Sequence, residues 1–172
     1  RAEGEADEMR ISGYAAVFNQ ETDLGFFREQ IAPGAFDSVL QNDVRLLLNH
    51  DGAPLARTTN ETLTLSVDDE GLRYEAILSD TTQGRDLYKM IQRGDITQSS
   101  FAFTIEEQDV DKKANLRTIT KVGRLLDVSP VTYPAYPQAS VSARSEFAVE
   151  AEPLVEEPAV EEPKEEISEV RN

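Results

Sequence analysis

The sequence predicts an α+β, β-rich fold: about seven strands that close or nearly close into a small barrel, flanked by short helices. Three observations predict it. Between residues 9 and 144 apolar side chains recur with period two in short segments. Only two stretches carry the i, i+3/i+4 stripe of an amphipathic helix. Gly, Pro, Asp and Asn punctuate the segments at turn-like spacing.

The first strand is Arg10 to Phe18, with Ile11, Gly13, Ala15 and Val17 on one face and Tyr14, Ala16 and Phe18 on the other, both faces largely buried. Gly25 to Ala32 and Val44 to Asn49 read as further strands. Between them Pro33-Gly34 opens a short helix striped by Ala35, Phe36, Val39 and Leu40. Thr62 to Val67 and Leu72 to Leu78 flank Asp68-Asp69-Glu70-Gly71, a hairpin in which Gly71 is placed to take positive φ. That acidic turn lacks the alternating oxygen ligands and distant Glu of a calcium loop. Asp80-Thr81-Thr82 caps a second helix carrying Leu87, Tyr88 and Ile91, and Gly94 ends it. Gln98 to Glu106 and Leu116 to Asp127 are strands joined by a polar hairpin around Asp111 to Asn115. Residues 129 to 137, with three Pro in nine, do not read as a regular central strand.

Residues 1 to 8 form an acidic lead without an apolar period, and 145 to 172 an acidic Pro/Glu-rich tail. Both are expected to be disordered, leaving 9 to 144 as the domain. The tail holds ten Glu against Lys164 and Arg171, half of the formal charge of −16. The acidic balance elsewhere leaves no basic face for nucleic acid or an anionic membrane surface. Zero Cys and a single His exclude disulfides, thiolate zinc sites and multi-His metal centres, and no cofactor is expected. No run approaches the ~18 apolar residues of a membrane span, so a soluble chain is expected.

His50 is the one side chain suited to general-base work near neutrality, and it follows the apolar run Leu46-Leu47-Leu48 where a rigid strand gives way to a loop. Of eleven Ser, Ser99 and Ser100 stand at the start of a strand whose Phe101, Phe103 and Ile105 would face the core, putting Ser100 on the opposite face with Ala102 and Thr104. A nucleophilic Ser needs a base within reach, and His50 is the sole candidate. A third group must orient the imidazole. Asp127, embedded in Leu125-Leu126-Asp127-Val128, needs a partner if buried: Arg124 or Arg85 as a salt bridge, or His50. Asp51 is the weaker candidate, because neighbouring side chains on an extended chain point apart. A carboxylate-pair hydrolase has no spacing to single out two acids, and the lack of Trp argues against sugar binding.

In order along the chain, ISGYAAVF, FREQIAPGAF, VRLLLNHD, GLRYEAIL, GRDLYKMIQRGD, SSFAF and LLDVSPVTYPAYP resemble the prohead maturation proteases of tailed phages over roughly residues 10 to 140. These are serine peptidases similar in fold to the herpesvirus assemblins, so the resemblance implies an assemblin-like barrel. It implies His50 as base, Ser100 as nucleophile and Asp127, before V-S-P-V, as the orienting third member where assemblins use a second His. Gln98 and Ser99 depart from the Gly and apolar residue often found there. The resemblance further implies an endopeptidase cleaving scaffold or capsid-protein extensions, and its own chain, during head maturation. A homo-oligomer acting in the host cytoplasm and the prohead interior goes with it. A non-catalytic scaffold or assembly module on the same fold is the alternative.

Overall fold

Strand β1 (Arg10–Val17) alternates apolar and polar residues until Ala15 and Ala16, which are both buried because a register shift between Tyr14 and Ala16 turns the chain into the core. The computed structural model describes residues 8–134 and 140–144. Apart from Glu8, the expected acidic lead and tail lie outside the described residues, as does 135–139.

The remaining strands are β2 (Thr22–Asp23), β3 (Arg28–Ile31), β4 (Arg45–Leu48), β5 (Asp51–Arg57), β6 (Leu63–Val67), β7 (Gly71–Ile77), β8 (Gln98–Asp111), β9 (Leu116–Val131) and β10 (Ser140–Arg144). One α-helix, α1 (Thr82–Arg93), and a 3-10 turn at Thr58–Asn60 complete the described elements. The sheet runs β2-β3-β9-β8-β10-β1-β7-β6, with β4 hydrogen-bonded to β9 and β5 to β4. The β3–β9 and β4–β9 ladders are parallel and the others antiparallel.

The fold is β-rich α+β, as expected, but several expectations need correction. Ten strands stand where about seven were read, and among the described residues no ladder joins β2 to β6 to close a barrel. The stretch after Pro33 forms successive turns instead of a helix. Its backbone bonds run Ala35 N to Ala32 O, Asp37 N to Gly34 O and Val39 N to Phe36 O, with Gly34 at φ +86° breaking the helical path. The stripe itself is real: Ala35, Phe36 and Val39 are fully buried. Finally, β9 continues through Ser129-Pro130-Val131, pairing with β8 to its end, so Pro130 does lie in a central strand.

Gly71 is needed for a reason other than φ. A Cβ there would sit 1.9 Å from the Ala16 carbonyl oxygen, so only Gly lets β7 close onto β1. Helix α1 follows its sequence closely: Thr81 Oγ1 accepts from Gly84 N, and Gly94 at φ +80° ends it. Its buried face, Leu87 and Ile91, joins a core with Ile11, Phe36, Leu72, Tyr74, Phe101 and Leu125. Each fully buried side chain of this size contributes ~1.5–3 kcal/mol.

Candidate active site

Three elements carry the candidate residues: the β4–β5 turn, the start of β8 and the last third of β9. Leu48 pairs with Asp51, so Asn49 and His50 form a two-residue hairpin turn. Both have positive φ, 55° and 59°, the double left-handed geometry of a type I′ turn. Holding a residue other than Gly there costs ~1–2 kcal/mol. Asn49 offsets that cost by clamping the turn to β9. Its N–H donates to Pro130 O at 3.0 Å, its Oδ1 accepts from Thr132 N at 2.8 Å, and its Nδ2 donates to Thr132 Oγ1 at 3.3 Å.

Strand β9 reaches the site through a bulge. The register with β8 steps from Ala102↔Asp127 to Phe103↔Leu125, leaving Leu126 unopposed. Without it, Leu125 and Asp127 would share a face. With it, Leu125 is buried in the core beside Phe103, while Asp127 joins Ala102 on the other face. Leu126, the extra residue, is left exposed.

On β8 the two Ser are separated by the alternation of the strand. Ser99 points into the core, its hydroxyl bonded to Tyr74 OH at 2.7 Å. Desolvation of the fully buried Tyr74 phenol pushes its pKa up, so this bond is made by two neutral hydroxyls. Ser100 lies opposite Ser129, on the face that carries Ala102 and Asp127. Phe101 is buried and stacks on Phe103 at 4.6 Å, as the alternation predicts. Ile105, expected in the core, is exposed instead, beyond a series of register shifts in the β8–β9 ladder that starts between Ala102 and Phe103.

His50 Nδ1 lies 2.6 Å from Asp127 Oδ1, and Ser129 Oγ donates to the same oxygen at 2.7 Å. The Asp127 side chain is 10% exposed and that of His50 35%, so the imidazole bridges a nearly dry carboxylate and solvent. Of the other partners weighed for Asp127, Arg85 pairs with Asp80 instead. Arg45, its neighbour in the parallel ladder, pairs with Asp43. Asp51 is exposed across from Leu48. An ionised carboxylate only accepts, so Nδ1 carries the proton of the neutral imidazole and Nε2 is left as acceptor. Among the described residues Ser100 Oγ makes no hydrogen bond, and the contact between it and His50 is not made. Such bonds commonly tighten only when substrate arrives.

His50 and Asp127 are thus brought together, with Ser100 on the same face. Ser129 and Asn49 were missed in the sequence. Asn49 had a local signal, since Asn is among the few residues at ease with positive φ. Ser129 was hidden in a Pro-rich run read as non-strand. No group of three or more His, Asp or Glu suited to a metal ion occurs among the described residues.

A model of the caudovirus prohead serine protease family matches residues 1–152. The prohead protease of Enterobacteria phage HK97 is 28% identical over 144 residues, covering 81% of this chain and 62% of that protein. The chain therefore spans less than two thirds of the length of this curated relative. No solved structure matches. With the family match running over nearly its whole length, the chain belongs to the caudovirus prohead serine protease family.

Proposed function

We propose that the protein is a serine endopeptidase of phage head maturation in which Ser100 is the nucleophile, His50 the general base and Asp127 the orienting carboxylate. The observation that carries this reading is the 2.6 Å bond from His50 Nδ1 to Asp127 Oδ1, made on the strand face that Ser100 occupies. His50 Nε2 takes the Ser100 hydroxyl proton as Oγ attacks the scissile carbonyl carbon. Asp127 accepts the Nδ1 proton and stabilises the imidazolium that forms. The same proton passes from Nε2 to the leaving amine as the C–N bond breaks. Water, deprotonated by His50, then hydrolyses the acyl ester and restores Ser100.

The substrates in this reading are extensions of scaffold or major capsid protein, with the protease's own chain as a further target. It works as a homo-oligomer, made in the host cytoplasm and acting inside the prohead. The domain is residues 9–144, with 1–8 and 145–172 as appendages.

Co-expression with the coat and scaffold proteins of its own phage tests the reading. Ser100→Ala is expected to lower cleavage ~10⁴-fold or more, while Ser99→Ala retains much of it. A dead Ser99→Ala beside an active Ser100→Ala would move the nucleophile by one residue. Cleavage by both would leave the non-catalytic assembly role.

A further inference from the structure

Ser129 is a polar side chain at this site that the relay above does not use. It is fully buried, stands directly opposite Ser100 in the β8–β9 ladder, and follows Asp127 by two residues on the same face of β9. Its hydroxyl donates to Asp127 Oδ1 at 2.7 Å, the same oxygen that faces His50 Nδ1 at 2.6 Å. We propose that Ser129 is a positioning residue: it fixes the rotation of the Asp127 carboxylate so that Oδ1 is held on His50 Nδ1–H and Nε2 is left as the acceptor for the nucleophile's proton. This role rests on the serine-relay reading.

A carboxylate has two equivalent oxygens on a soft, nearly two-fold torsion, so nothing intrinsic to Asp127 keeps one of them on the imidazole. Ser129 removes that freedom because it has little freedom of its own. Its Cβ is set by the strand, and a buried hydroxyl left unpaired costs ~1–3 kcal/mol. Arg45, the nearest cation in the ladder, is committed to Asp43 and does not compete for the carboxylate. Ser129 has no exposed surface through which to touch substrate, so it acts through Asp127 alone.

The test combines exchange, kinetics and a double-mutant cycle on the full chain. In ¹⁵N-histidine-labelled protein the His50 Nδ1 proton is expected to exchange with water about ten-fold faster in Ser129→Ala than in wild type. Over the same comparison kcat falls about ten-fold or more with KM unchanged. Ser129→Thr, which keeps the hydroxyl, recovers both. In an Asp127→Asn background Ser129→Ala adds no further loss, since the residue acts through the carboxylate. Thermal melts check folding; if the Ala variant unfolds, Ser129→Cys, nearly isosteric and a weak donor, gives the same comparison. An unchanged Nδ1 exchange rate, or an equal further loss in the Asp127→Asn background, would overturn the proposal. The exchange measurement needs no cleavage, so a wild type that cleaves nothing defeats the serine-relay reading while the fate of the Nδ1 proton still decides Ser129.

Discussion

His50 reaches Asp127 from a backbone conformation that only a clamp makes affordable, and the clamp is Asn49. Asn49→Gly keeps the positive φ and discards the side-chain bonds to Thr132. It is expected to leave the melting temperature within a few degrees while cutting kcat/KM more than ten-fold, because a misplacement of ~1 Å suffices for such losses. Steady-state kinetics beside a thermal melt separates the two effects. The proposed base is read by substitution: His50→Ala and Asp127→Asn are each expected to lower kcat/KM ~10⁴-fold with the melt preserved. A His50→Ala variant that cleaves as fast as wild type would remove His50 from the mechanism. The His50–Asp127 contact was legible because His50 is the only His and Asp127 an acid embedded in apolar sequence that needs a partner, and the face of Ser100 because the strand alternates. Ser129 and Asn49 were not, since a polar residue becomes a positioning group only through partners far along the chain.

At the scale of elements, the bulge at Leu126 lets one strand serve both the core and the site. Deleting Leu126 turns the bulge into a regular ladder in which Leu125 still opposes Phe103 and Asp127 still opposes Ala102, so both keep their faces. The deletion and Leu126→Ala are therefore both expected to keep most of the activity; cleavage assays on the two variants check this, and a deletion as inactive as Asp127→Asn would show that the faces are not set by this alternation. The β4–β5 hairpin below the His50 turn is braced by Asp43, which accepts from Arg57 Nε and NH2, both at 2.7 Å. Those hydrogen bonds hold the Asp43 carboxyl well below the usual range, at about 2. Because the folded value is depressed, its contribution is complete above the unfolded carboxyl value of ~4 and is lost as pH falls to about 2. Melts of wild type and Asp43→Asn are expected to differ most above pH ~4 and to converge toward the acid end of that window. Strands with clean alternation and the capped helix α1 were legible in the sequence. Strand β5, interrupted by Pro54, was not: among the described residues it pairs only with β4, and an edge tolerates a missing N–H. The turns after Pro33 carried a helical stripe because packing of Phe36 and Val39, rather than helix formation, is what the pattern encodes.

For the whole molecule, the strand pairings were the least legible feature, because β3, β4 and β10 reach partners distant in sequence and no local pattern specifies them. The buried core among the described residues runs from Ile11 to Val131, and β10 ends at Arg144. Truncation after Arg144 removes ten Glu and three Glu-Pro pairs, and is expected to leave both the melt and the specific activity near those of the full chain. A loss of several degrees would show that the segment packs on the domain. The central claim, that Ser100 is the nucleophile activated by His50 and Asp127, is tested most directly by labelling the full chain with a fluorophosphonate and mapping the modified peptide. The account predicts a single adduct on Ser100 that His50→Ala suppresses; an adduct on Ser99 or Ser129, or labelling of Ser100 that is indifferent to His50, would contradict it.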